Sequence, residues 1–259
     1  MNICLSRRET ALLRALTTRS GRKKSGCCRC EGLRAVRELL NFFPEKVKFV
    51  ATAERAVGQL DCPAELVRIV PDREFDELSG TVTSQGVIAV AEIPPEACGE
   101  IEGDFILALD QLGDPGNFGT IARSLRAAGQ KELWYTKGSI DPWGDKAIRS
   151  GMGVQFGLRL RKFETLGELA LTGIRLGVKN VFIADPHQGE NCFTCENLFD
   201  RSIIVIGGEP NGVRGVCPDA GRVIIPMPGD YESINAAQAA TVLIFESVRR
   251  NFLKGAIHG

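Results

Sequence analysis

The chain has 259 residues, 44% hydrophobic and 25% charged, with 32 basic against 32 acidic side chains. These proportions suit a soluble globular protein of one large or two smaller domains, and they exclude a disordered chain, a coiled coil and a collagen. No apolar run reaches the roughly 18–20 residues that span a bilayer, so no membrane partner is expected. The neutral total hides an uneven distribution. Residues 1–40 carry ten Lys/Arg against Glu9, Glu31 and Glu38, whereas residues 41–100 carry five basic and eleven acidic residues. A basic N-terminal arm reads either as a solvated helix face or as a surface for a phosphate backbone.

In chain order, Leu5–Leu16 spaces its leucines as a basic amphipathic helix, and Arg19–Gly26 reads as a basic turn. Cys27–Cys30 is a short strand, Arg34–Phe43 a helix that stops before Pro44, and Lys46–Ala51 a strand. Glu54–Leu60 reads as helix, Leu66–Val70 as strand, Asp72–Leu78 as a short helix and Gly86–Ala91 as strand. Ile93–Gly103, with two prolines, two glycines and three glutamates, is the best linker and places a domain boundary near residue 98.

The second part alternates more strongly. Strands are expected at Phe105–Leu109, Leu133–Thr136, Leu158–Phe163, Val181–Ala184, Ile203–Ile206 and Val223–Met227. Helices are expected at Phe118–Ala128, Asp145–Met152 and Leu166–Leu176, with a long last helix from about Ile234 to Phe252. Six strands with intervening helices predict an α/β fold whose sheet is mostly parallel and covered on both faces.

Nine cysteines and no signal-peptide pattern point to free thiols in the cytoplasm. Cys27, Cys28 and Cys30 cluster, and Cys192/Cys195 form a lone C-x-x-C. Zinc needs four ligands at matched spacing, and the only histidines are His187 and His258, so buried apolar thiols are the default and no metal is expected. The first 24 residues, rich in Arg, Ser and Thr, mimic an organellar transit peptide.

Three segments could carry chemistry, and each follows a strand, where ligands of parallel sheets bind. The first, Asp110–Gly129, runs from a Gly/Pro/Asp loop into a helix with Asn117 as a candidate N-cap and Arg123 and Arg126 on its early turns. It reads as a capped helix with exposed arginines or as an anion site. The second, Ile203–Val213, is a strand running into Gly207, Gly208, Glu209 and Gly212, with neither a dinucleotide fingerprint nor a P-loop. The third, Ile225–Gln238, places Ser233 as a candidate N-cap and a second polar residue, Asn235, at the start of the last helix. Serine hydrolase and metal-hydrolase patterns are missing.

Read together, the segments resemble the three motifs of the SpoU (TrmH-like) family of RNA ribose 2′-O-methyltransferases. Asn117, Gly119, Ile121, Arg123 and Gly129 match the first motif; Gly207, Glu209 and Gly212 the second; Ile225, Pro226, Met227, Ser233, Ile234 and Asn235 the third. Lys146–Phe156 resembles the family's R-x-S-x-G segment through Arg149 and Gly153, with Gly151 where serine is common. Ile234 stands for the commoner Leu and Ala236 for a common Val. Cys30-Glu31-Gly32 before a helix resembles the family's N-terminal L30e-like extension, which favours buried thiols over zinc and a folded start over a cleaved leader.

The resemblance implies an RNA substrate-binding domain over 1–98 and a methyltransferase domain over 99–259 with a deep C-terminal trefoil knot. It implies S-adenosylmethionine held by backbone at Gly207, Ile225 and Ile234. Arg123 becomes the central catalytic residue, either as general base or, because a guanidinium stays protonated, as a phosphate and alkoxide stabiliser. Asn117, Glu209, Ser233 and Asn235 would complete the catalytic pocket. Arg19, Arg22, Lys23, Lys24 and Arg149 would bind RNA, and the partners implied are a second copy of the chain (a homodimer) and ribosomal RNA of the 23S type in preference to tRNA. The alternatives are a tRNA ribose 2′-O-methyltransferase and a non-catalytic RNA-binding or ribosome-assembly factor on the same scaffold.

Overall fold

The structure is a computed structural model that describes residues 4–81, 83–208, 212–230 and 233–258, with side chains as far as Leu253. The chain divides into two compact units, Met1–Pro95 with Asp141–Gly157, and Glu96–Ile140 with Leu158–Gly259.

The first unit opens with helix α1 (Arg7–Ala15), started by a reciprocal capping box between Ser6 and Glu9. The basic run expected as a turn is instead a helix, α2 (Arg19–Ser25). The Thr18 hydroxyl accepts the Gly21 amide at 3.0 Å, and Gly26, at φ 66°, ends the helix in the left-handed region. Strand β1 (Cys27–Glu31) is buried at all five positions, so Cys27, Cys28 and Cys30 are core residues. Helix α3 (Leu33–Phe42) and strand β2 (Val47–Ala53) follow. The helix expected over 54–60 is only a short 3₁₀ turn at Glu54–Ala56, because Gly58 takes φ 84° and breaks the helical path. Strand β3 (Val67–Val70), helix α4 (Asp72–Leu78) and strand β4 (Val87–Glu92) complete a sheet ordered β1-β4-β2-β3. β4 runs antiparallel to both β1 and β2, while β2 and β3 are parallel.

The second unit begins with strand β5 (Phe105–Asp110), helix α5 (Pro115–Ala127) and strand β6 (Glu132–Thr136). The chain then enters the first unit, where helix α6 (Asp145–Gly151) lies. Three ion pairs hold this excursion, at residue 141 ahead of α6 and at residues 145 and 149 within it. Arg22 meets Asp141 at 2.7 Å, the fully buried Arg29 meets Asp145 at 2.6 Å, and Arg149 lies 3.7 Å from Glu31. Ile148 and Phe156 join the core of that unit, and Trp143 packs against Phe156. Sequence periodicity finds α6 but not the unit it folds with, because helix spacing says nothing about which core the apolar face joins.

Back in the second unit come strand β7 (Arg159–Phe163), helix α7 (Leu166–Arg175), strand β8 (Asn180–Ala184) and the two-residue strand β9 (Glu190–Asn191). Strands β10 (Ser202–Gly207) and β11 (Gly221–Ile224) precede the last helix, α8 (Ala236–His258). The seven-stranded sheet is ordered β7-β6-β5-β10-β8-β11-β9, and every neighbouring pair is parallel. The six expected strands are present; β9 is the seventh, too short to show a period. β5 and β10 sit centrally and read as continuous apolar runs, because helices cover both faces. Among the described residues no helix is long and apolar enough to cross a membrane.

Candidate active site

Parallel strands end at the same edge, so β5, β10, β8 and β11 bring their C-terminal loops together. Gly207 of β10 pairs with Asp110 of β5, and Val223 of β11 with Ala184 of β8. At this edge lies a cavity of about 370 Å³ lined by Ile206, Gly207, Gly208, Ile225, Met227, Ser233 and Ile234, with Ala184, Asp185 and Pro186 on the β8 side. The three cofactor residues expected from sequence, Gly207, Ile225 and Ile234, therefore line one space.

Glycine is required here by contact. A Cβ on Gly207 would come within 2.1 Å of the Gly212 carbonyl carbon, and one on Gly208 within 2.4 Å of the Gln111 carbonyl oxygen. Asp110, 1% exposed, anchors the loop that follows β10. Its carboxylate accepts the Arg214 and Gly215 amides, both at 2.8 Å, and the Thr136 hydroxyl at 2.7 Å. A buried carboxylate must be satisfied by several donors, and satisfying it this way fixes the backbone that walls the cavity.

Helices α5 and α8 join the first and third motifs. The N-cap of α5 is Asp114, not Asn117: Asp114 Oδ1 accepts the Asn117 amide at 2.7 Å, and Pro115 occupies the first turn. This frees the Asn117 side chain. At α8 the capping oxygen belongs to Asn235, not Ser233, since Asn235 Oδ1 accepts the Ala237 amide at 2.9 Å. The other end of the Asn235 amide donates to Asn117 Oδ1 at 3.0 Å, so one side chain both starts α8 and ties it to α5. Further along, the Ser124 and Thr241 hydroxyls meet at 2.9 Å. Ser233, released from capping, is exposed and lines the cavity. Arg123 is exposed on α5 and has no hydrogen bond or ion pair among the described residues; it does not line the cavity. Glu209 lies outside the described residues.

Asp185 was not singled out by sequence. Burial works against its charge, but the His187 and Gln188 amides and the Arg222 guanidinium outweigh it and hold the carboxyl below its ordinary range. The available signal was an Asp-Pro pair closing a strand, the same strand-end rule that found the three motifs.

The expected RNA-binding residues divide. Arg19, Lys23 and Lys24 are exposed on α2. Arg22 is buried and not available at the surface: it donates to the Leu16 carbonyl at 2.9 Å and pairs with Asp141. Arg149 belongs to the first unit through α6. The Cys192 and Cys195 thiols are pushed up to about 11 by burial, and the Arg250 guanidinium donates to both of their carbonyls. Among the described residues no group of three or more His, Cys, Asp or Glu could hold a metal ion.

A parallel α/β sheet with an apolar, glycine-walled cavity at its strand ends is the setting in which proteins of the α/β class take nucleoside-like ligands. The model of the SpoU rRNA Methylase family matches residues 104–245, and the chain belongs to that family. An MRM3-like substrate binding domain matches residues 11–89. The mitochondrial rRNA methyltransferase 3 of Mus musculus is 26% identical over 96% of this chain and 73% of its own length. RlmP of Bacillus subtilis (strain 168), a 23S rRNA guanosine 2′-O-methyltransferase, is 26% identical over 89% of this chain and 92% of its own. A TrmH-family structure from Porphyromonas gingivalis superposes with a TM-score of 0.80 at 27% identity, covering 95% of this chain and 99% of that one.

Proposed function

We propose that this chain transfers a methyl group from S-adenosylmethionine to a ribose 2′-hydroxyl of ribosomal RNA. The observation that carries the reading is the Asn235–Asn117 amide contact, which joins the first and third motifs beside the glycine-walled cavity. The cavity fits the cofactor: its lining is apolar, and glycines at 207 and 208 leave the backbone bare where a Cβ would collide with the chain. Gly207, Ile225 and Ile234 would hold it, with Ile side chains against the base and backbone groups at its polar edge. When bound, the cofactor supplies an electrophilic methyl group.

The chain's own residues supply orientation and charge. Asn117 and Asn235 position the ribose and the start of α5. Arg123, free of partners, binds the phosphate beside the target ribose and stabilises the alkoxide that develops as the hydroxyl proton passes to that phosphate or to water. Ser233 and Glu209 complete the polar side of the pocket. Residues 1–98 act as the RNA substrate-binding domain and 99–259 as the methyltransferase domain, with the deep trefoil knot that membership in the family implies. Arg19, Lys23, Lys24 and Arg149 serve as RNA contacts, with Arg22 fixing α2 behind them. The enzyme works as a homodimer; Phe245, Phe252 and Leu253, exposed on α8, support an apolar surface for a second copy. All nine cysteines are free, which supports the cytoplasm as its compartment.

The test is transfer of labelled methyl to separated unmodified rRNA and tRNA pools, followed by digestion to nucleosides. Ribose-methylated product is expected from rRNA, falling about 100- to 1,000-fold in Arg123→Ala. Product from tRNA alone would replace the substrate class. RNA binding without transfer or cofactor binding would favour a non-catalytic RNA-binding factor.

A further inference from the structure

A second cavity lies wholly within the first unit, about 360 Å³ in volume, between the β1–α3 junction, residues Thr81, Thr83 and Gln85, and α6. Its polar lining is Glu31, Arg34, Thr81, Thr83, Gln85 and Arg149. Glu31, 3% exposed, is fully engaged. Its carboxylate accepts the Ser79 hydroxyl, the Thr81 hydroxyl at 2.9 Å and the Gly80 amide at 3.0 Å. It can orient the cavity but has little capacity left for a ligand's donors.

The arginines are in the opposite condition. Arg149 Nη1 is shut off from solvent and donates no hydrogen bond, and Glu31 is 3.7 Å away, too far to serve as its acceptor. Arg34 is exposed and has no hydrogen bond or ion pair among the described residues. Two guanidinium groups against one carboxylate leave the cavity a net positive charge. Gly32 offers no side chain to cap α3, and only the Leu33 amide is taken, by Gln85 Oε1 at 2.9 Å, so the positive end of α3 adds to the same field. That bond leaves the Gln85 Nε2 group and the Thr83 hydroxyl for a ligand.

We propose that this cavity holds one unpaired nucleotide of the RNA substrate, its phosphate on Arg34 and Arg149 and its base or ribose edge on Thr83 and Gln85. The volume is that of a nucleotide-sized ligand rather than a bare phosphate. Unpaired nucleotides are the units of RNA whose edges a protein can reach. The inference rests on the RNA reading above and assigns α6 a task within the first unit: it delivers Arg149 to a site whose other polar residues come from before position 86.

The experiment measures binding of in vitro transcribed 23S rRNA fragments to the full-length protein as a function of salt, with S-adenosylmethionine affinity measured in parallel. Arg34→Glu is compared with Arg73→Glu, the same charge change at a side chain 95% exposed on α4 and away from the cavity. Arg34→Glu is expected to weaken RNA binding about tenfold and to lower the slope of log affinity against log salt by about one. Cofactor affinity stays unchanged, and Arg73→Glu binds as wild type. Arg34→Lys should recover part of the loss. Equal RNA affinity and slope in Arg34→Glu and wild type, or equal losses in the two Glu variants, would overturn the site while leaving the enzyme reading standing. If wild type itself binds no rRNA fragment, the RNA reading falls and the site with it.

Discussion

The two cavities are built on opposite principles. The one in the second unit is walled by glycine, isoleucine and bare backbone, and the charged groups around it are mostly turned inward: Asp110 holds amides and Asp185 holds a turn and Arg222. The one in the first unit is walled by guanidinium, hydroxyl and amide groups, of which Arg149 Nη1, Arg34, the Thr83 hydroxyl and Gln85 Nε2 are left without a hydrogen-bond partner among the described residues. An apolar ring can be gripped by shape, and close backbone approach fixes that shape with little side-chain chemistry. A phosphodiester must be gripped by charge, so unpaired donors have to be held ready. The comparison teaches that motif residues can make a site either by being small or by being unsatisfied, and that the two leave different traces.

The largest effect is expected from Asp145→Ala. Arg29 is left charged and buried without its carboxylate, at a cost of about 3–5 kcal/mol. The expected outcome is an early unfolding transition of the first unit in denaturant and lost RNA affinity, with cofactor affinity kept in the second unit. Loss of both affinities together would show that the cavities depend on each other.

Gly208→Ala attacks the other cavity. The added methyl meets the Gln111 carbonyl oxygen at 2.4 Å, and overpacking of that kind costs about 1–3 kcal/mol. Cofactor affinity by calorimetry should fall about 10- to 100-fold while RNA affinity is retained.

Asn235→Asp sharpens the comparison. The carboxylate still caps α8 but cannot donate to Asn117 Oδ1. Stability should match wild type, and methyl transfer should fall about tenfold through misplacement of the first motif. Transfer at the wild-type rate would make the amide contact a structural tie alone.

Much of the candidate site was legible because its residues are local. Gly207, Ile225, Ser233 and Ile234 lie in strand-end loops whose glycine and proline content marks them, and all four line one cavity. The roles at the helix starts were less legible. Asn117 and Ser233 both look like caps in sequence, yet Asp114 and Asn235 do the capping, because the choice among neighbouring polar residues depends on backbone dihedrals and on what waits across the gap. Arg22 looked like one more surface cation in a basic run, and only its partner Asp141, far along the chain, shows that it is internal.

The amino-acid sequence alone settled the α/β class, the parallel order of elements in the second half, and several of the loop residues that line the strand-end cavity. These follow from hydrophobic period, turn residues and the rule that parallel strands end together. Tertiary structure alone decided that Asp141–Gly157 folds with the first unit, that α8 is tied to α5 by one amide, and that Glu31, Arg34 and Arg149 share a cavity. Those outcomes rest on pairings between side chains that are far apart in the chain. Charge and size at one position are compatible with many partners, and only the packed chain brings one of them within a few ångströms.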